Sequence, residues 1–91
     1  MLMANTHTFK GDQSPDSMKA VLAVFAARGP VEGQIAHYVF ADGSGGLTIT
    51  DSDDPQAGYA EALAYKQWMD FKSTPILTVD DAMPAIMAAF G

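Results

Sequence analysis

Two histidines and one asparagine are the residues of this 91-residue chain best suited to moving a proton. A histidine side chain ordinarily titrates near neutral pH, so an imidazole such as that of His7 or His37 can take a proton from a molecule held within hydrogen-bond reach. Asn5 stands two residues before His7, and on an extended strand both side chains leave the same face. A carboxamide placed there suits the orientation of a developing oxyanion. Tyr38, Tyr59, Tyr65 and Trp68 offer the aromatic walls that small-molecule sites use, Tyr38 beside His37 at a cavity mouth and the other three on a helix that would roof the pocket. The same residues serve equally well as packing, and a strand histidine is often a satisfied structural one.

Other chemistries find less support. Cysteine is absent, which removes disulfides, thiolate nucleophiles and thiolate metal sites together. His7 and His37 would need a third ligand such as Asp51 to hold a metal, and neither HxH nor HxxxH spacing occurs, so no metal is expected. The run Asp42-Gly43-Ser44-Gly45-Gly46 lacks the Gly-Lys-Ser/Thr ending of a phosphate loop and leads into a strand, so no helix N-terminus follows to hold an anion. Ser14, Ser17 and Ser44 have no nucleophile-elbow context. A net charge of −6 opposes any sequence-independent grip on nucleic acid or on an anionic membrane surface. The first nine residues lack the basic region and long apolar core of a secretion signal, and no apolar run approaches the ~18 residues of a membrane span. A cytoplasmic location is the expectation.

These residues must be positioned by short elements. Leu2 to Phe9 alternates as a strand, with Met3, Asn5, His7 and Phe9 on one face. Ser14-Pro15-Asp16 starts a helix that runs to about Arg28, with Met18, Val21, Leu22 and Phe25 as its apolar face and Gly29-Pro30 as its stop. Gln34 to Ser52 reads as a hairpin: Ile35, His37, Val39 and Ala41 alternate with Ala36, Tyr38 and Phe40, a glycine-rich turn follows, and Leu47, Ile49 and Asp51 alternate with Thr48 and Thr50. Asp54 caps a second helix beginning at Pro55 and continuing to about Trp68. Phe71 to Val79 is a fourth strand, confined to a sheet edge by Pro75, and Asp80-Asp81 caps a final helix with Pro84 in its first turn. Met83, Ile86, Met87 and Phe90 form the apolar face of that last helix.

The order βαββαβ followed by a helix predicts one α+β domain over 1–91 of the ferredoxin-like kind, an antiparallel sheet with its first and third strands central and helices on one face. Because the hairpin strand carries apolar bulk on both sides, the second sheet face needs a cover. A second copy packed around a twofold axis is the simplest one.

Ala41-Asp42-Gly43-Ser44-Gly45-Gly46, Asp53-Asp54-Pro55, Trp68 with Asp70-Phe71, and Thr74-Pro75 together resemble a small bacterial domain-of-unknown-function family of the dimeric α/β-barrel superfamily. The resemblance covers about the second half of the chain and brings no catalytic residues with it. The superfamily includes cofactor-independent oxygenases, haem-degrading enzymes, cyclases, isomerases and plain ligand-binding domains. Asn5 with Trp68 is similar to the Asn/Trp combination of its oxygenases and haem-degrading members. An axial histidine in the fourth strand is not evident, since Leu77 and Thr78 stand there, so the resemblance implies no haem and no cofactor is expected. The sequence thus leads to a homodimer that binds a small hydrophobic or aromatic molecule; if it also transforms that molecule, His7 or His37 is the base and Asn5 orients the developing oxyanion. A non-catalytic dimerisation or interaction domain with a filled interior is the alternative.

Overall fold

Local signals set most of the element boundaries. In the computed structural model, which describes residues 1–91, β1 (Leu2–Phe9) leads to α1 (Pro15–Arg28), whose first turn is capped by Ser14 Oγ accepting from the Ser17 amide at 3.1 Å. The hairpin strands β2 (Gln34–Val39) and β3 (Gly45–Asp51) follow. Asp42 Oδ1 accepts from the Ser44 amide at 2.9 Å inside their turn, and Gly43 takes the positive φ of 78° that the reversal requires. Hydrogen bonding from Ser44 holds the Asp42 carboxyl below the usual carboxylate range. Ile35 is left unpaired by an irregularity between Gln34 and Ala36, and its side chain is exposed.

The second half departs from expectation at four boundaries. Helix α2 (Pro55–Tyr65) starts where Asp54 caps it but stops three residues before Trp68, because the Lys66 and Trp68 amides turn back to the Leu63 and Tyr65 carbonyls in tighter i to i−3 bonds. That turn delivers the chain directly opposite Phe9, so β4 (Met69–Pro75) begins two residues early and ends at Pro75, which closes the strand instead of interrupting it. Helix α3 (Val79–Phe90) is capped by Thr78, whose Oγ1 accepts from the Asp81 amide at 3.1 Å. Asp80 and Asp81 fall inside its first turn, favourably placed against the helix dipole, and Pro84 moves into the second turn.

The sheet is antiparallel throughout, in the order β2-β3-β1-β4, so the β1 residues are central as the sequence predicted. The fold is a ferredoxin-like α+β domain with a C-terminal helix. Phe9 and Phe71 pack under α1 and α2 around a small core of Val21, Tyr65 and Met69, and this identifies the helix-covered face as the one bearing Met3, Asn5 and His7. The opposite face presents Leu2, Ala4, Ala36, Tyr38, Leu47 and Ile49 with no element over it.

Helix α1 turns inward Val21, flanked by Met18 and Val24, and leaves Leu22 59% exposed, so the apolar face predicted through Leu22 is rotated. Apolar residues surround much of this helix, and contact with the sheet, not periodicity, chooses among them. Every residue of α3 except Ala82 is exposed. The radius of gyration is 15.7 Å, against about 12 Å for a compact chain of this length, and the long axis reaches 54 Å. No helix is long and apolar enough to cross a membrane.

The placement of α1 makes a direct forecast for chemical denaturation. Val21→Ala lowers stability by about 2 kcal/mol, since it removes packing from a core with few other members, whereas Leu22→Ala changes it by less than about 0.5 kcal/mol.

Candidate functional site

Two polar groupings grow from β1 on the helix-covered face. At its start, Asn5 bridges three strands: its Nδ2 donates to Thr50 Oγ1 at 3.0 Å and, more weakly, to the Thr48 carbonyl at 3.4 Å on β3, while its Oδ1 accepts from Ser73 Oγ at 2.8 Å on β4. Both strands present the required residues because Thr48 and Ser73 stand directly opposite Asn5 in the ladder. Protons therefore run from Ser73 to Asn5 and from Asn5 to Thr50. Thr50 accepts in this chain, and its own hydroxyl proton is left for another acceptor.

This network floors a cleft of about 620 Å³ between the sheet and α2, whose walls include Met3, Tyr59, Ala62 and Phe71. Four carboxylates border it, and three have structural partners. Asp54 caps α2, Asp53 takes the Met1 ammonium at 2.9 Å, and Glu61 pairs with Arg28 Nε at 3.1 Å across the two helices. Glu32 is the fourth and is exposed.

The second grouping is an imidazole pair. His7 and His37 come from strands separated by β3, yet their ring centroids lie 5.8 Å apart in an edge-to-face arrangement. Gly46 makes this approach possible. It stands opposite His7 in the ladder, and a Cβ at this position would lie 2.8 Å from the His7 ring and 2.5 Å from the Tyr38 carbonyl oxygen. The missing side chain opens a window over β3 through which the two rings meet. Phe71 flanks His7 at 6.2 Å, and Phe25 of α1 flanks His37 at 6.0 Å. Burial, and secondarily the neighbouring imidazole, lowers the His7 pKa from 6.5 and favours the neutral ring. No group of three or more histidine and carboxylate side chains is placed to hold a metal ion.

The residues singled out in the sequence therefore separate. Asn5 and Tyr59 line the cleft, while His7 and His37 meet farther along the sheet, outside its lining. Tyr65 is a core residue, its ring 6.4 Å from Phe71 and its hydroxyl buried without a partner; burial and then the Glu61 carboxylate raise its pKa, with Arg28 opposing. Trp68 packs beside that core. Tyr38 points to the uncovered face and is 63% exposed. Sequence reasoning missed Thr50, Ser73 and Phe71. The alternation of Thr48 and Thr50 was visible as polar positions in a strand, but only the register brings them and Ser73 to Asn5.

Residues 1–90 match the family described as Domain of unknown function (DUF3303). The chain belongs to this family. No curated protein matches it. In this DUF3303 domain the turn motif Gly43-Ser44-Gly45-Gly46 has a double role, closing the hairpin at Gly43 and opening the histidine window at Gly46.

Two outcomes test the imidazole pair. Gly46→Ala introduces a Cβ against a backbone oxygen and a ring, and is expected to destabilise the fold by about 1–3 kcal/mol and to separate the His7 and His37 resonances from their wild-type shifts in NMR spectra. For His7, the unfolded chain takes up a proton below pH 6.5 that the folded chain refuses until its own lower pKa is reached. Stability is unaffected by this group above pH 6.5 and falls as pH drops from there through the folded-state value. Urea melts between pH 7.5 and 5.5 should show that decline in wild type, with a flatter profile in His7→Gln.

Proposed function

We propose that this domain works as a homodimer and binds a small, largely apolar or aromatic molecule bearing one hydrogen-bond-accepting group in the cleft between α2 and the sheet. The observation that carries the reading is the combination of apolar side chains on the cleft walls with a hydrogen-bonded polar network on its floor, the arrangement by which small-molecule sites take up and orient their ligands. Met3, Tyr59 and Phe71 offer the apolar contact. Thr50 is the donor, aligned by Asn5 and Ser73, and a carbonyl or phenolate oxygen is the complementary acceptor.

Homodimerisation is supported by the uncovered sheet face with Leu47, Ile49 and Tyr38, and by the resemblance to dimeric α/β barrels, in which two such sheets pack together. If the bound molecule is transformed, the reaction is a cofactor-independent proton transfer, cyclisation or oxygenation, with His7 or His37 as base and Asn5 orienting a developing oxyanion through its hydrogen-bond network. Burial lowers the His7 pKa and so favours the neutral ring, the form with a lone pair free for a proton. The position of both imidazoles outside the cleft lining favours a second reading, a dimerisation or interaction domain with no turnover.

A ligand-observed NMR screen with small aromatic ketones and phenols separates these readings. Binding at one saturable site is expected, weakened about tenfold by Thr50→Val, which removes a hydrogen bond while keeping the shape. His7→Gln and His37→Gln should each leave that affinity largely unchanged, and any turnover should be abolished by at least one of them. The absence of saturable binding by any probe, or binding indifferent to Thr50→Val, would remove the cleft as the site.

A further inference from the structure

Helix α3 has no polar side of its own. After Asp80 and Asp81 in the first turn, every residue from Ala82 to Phe90 is alanine, methionine, proline, isoleucine or phenylalanine. Helices that are apolar all round belong in interiors, and an isolated helix of this length is marginal in water. Yet Val79, Ile86, Met87 and Phe90 are all exposed, Phe90 at 89%. The connection from β4 explains why the chain does not cover them itself: the Ile76 amide continues the ladder by donating to the Leu2 carbonyl at 3.0 Å, and α3 starts two residues after Leu77, beyond the end of the sheet.

The same molecule carries a second uncovered apolar surface. On the helix-free face Tyr38 is exposed and Leu2, Ala4, Ala36, Leu47 and Ile49 are half-buried with no element over them, Thr6 lying among them, whereas the outward residues of β4 are Asp70, Lys72 and Thr74. The apolar area thus spans three strands, roughly 14 Å across, close to the ~18 Å length of a twelve-residue helix. Lys72 stands on this face without an ion-pair partner, whereas Asp70 is held by Lys10 at 3.7 Å, and Asp80 and Asp81 at the start of α3 are likewise unpaired.

We infer that α3 is exchanged between two copies of the chain, each laying its helix on the uncovered sheet face of the other. The inference rests on the homodimer proposed above and changes its seal: the partner's α3, not the partner's sheet, covers the open face. Two complementary surfaces on one chain, neither of which reaches the other within the subunit, are satisfied simultaneously by a twofold pair. Two helix-on-sheet contacts of these dimensions bury on the order of 1,400 Å² in total, within the range of stable specific interfaces. The acidic start of α3 meets the positive charge of Lys72 at the polar margin of the patch. The helix also leaves the sheet at the end where Met1, Ser52 and Asp53 line the ligand cleft, so exchange would bring the partner's chain close to its mouth.

The test uses the full chain, in which the absence of cysteine makes introduced thiols unique. Sedimentation equilibrium should give a mass near twice 9.6 kDa for wild type, and Ile86→Glu and Tyr38→Glu, altering opposite sides of the contact, should each raise the dimer dissociation constant at least about tenfold. Circular dichroism confirms that each variant is folded. An equimolar mixture of Met87→Cys and Ile49→Cys chains should form the mixed disulfide on mild oxidation in preference to either like pair. A dimer unaffected by Ile86→Glu would overturn the exchange and leave the homodimer standing. A wild-type monomer at roughly 50 µM, a concentration at which interfaces of this size associate, would overturn both. A disulfide formed within one chain carrying both cysteines, with no mixed dimer, would show α3 folding back on its own sheet and would overturn the exchange alone.

Discussion

A four-stranded sheet has two faces, and in this chain two helices cover one of them. The rest of the structure follows from that shortage of cover. The core is reduced to Val21, Tyr65 and Met69 with their partly buried neighbours, gathered near one end of the sheet where α1 and α2 converge. Only six of the 91 residues are buried, and two of these are Gly45 and Gly46. A small domain buries a limited share of its surface in any case. Here α3 is exposed along almost its whole length, and large apolar side chains also stay exposed on α1 (Leu22, Phe25), α2 (Tyr59, Leu63) and β2 (Ile35, Tyr38, Val39).

On the covered face the polar residues are arranged around β1, because the centre of the sheet is the one place where two neighbouring strands can serve the same side chain. Asn5 uses both: β3 supplies Thr48 and Thr50, and β4 supplies Ser73. A carboxamide beneath helices is costly unless its donors and acceptor are all matched, and this network matches them. One turn of the alternation later, His7 meets the opposite circumstance. Its ladder neighbour is Gly46, which offers no side chain to bond, and the ring extends across the vacated position to His37. Two residues on one strand face thus enter different chemistry because one faces threonine and the other faces glycine.

Tyr65 marks where the packing was not perfected. Its ring is in the core beside Phe71, but its hydroxyl has no partner, and an unmatched buried hydroxyl carries a penalty of about 1–3 kcal/mol. Glu61, whose carboxylate adds to burial in raising the Tyr65 pKa, is itself engaged by Arg28 on the neighbouring helix.

The sequence by itself determined the features that depend on residues close together in the chain. Ser14, Asp54 and the turn at Gly43 act over two or three residues, so the starts of α1 and α2 and the hairpin were legible, and the order of elements then constrained the strands to 2-3-1-4. The ends of α2 and β4 were less legible, because a tighter last turn and the pairing of Met69 with Phe9 are settled by the sheet and not by Trp68 or Pro75 alone. Only the tertiary structure decided the site. Asn5 was visible as a candidate, but its partners lie 43 to 68 residues away, and His7 and His37 were visible as bases without any sign that they would touch. Those juxtapositions depend on register, in which a shift of one residue would reverse every side chain, and on one glycine whose contribution is the absence of atoms.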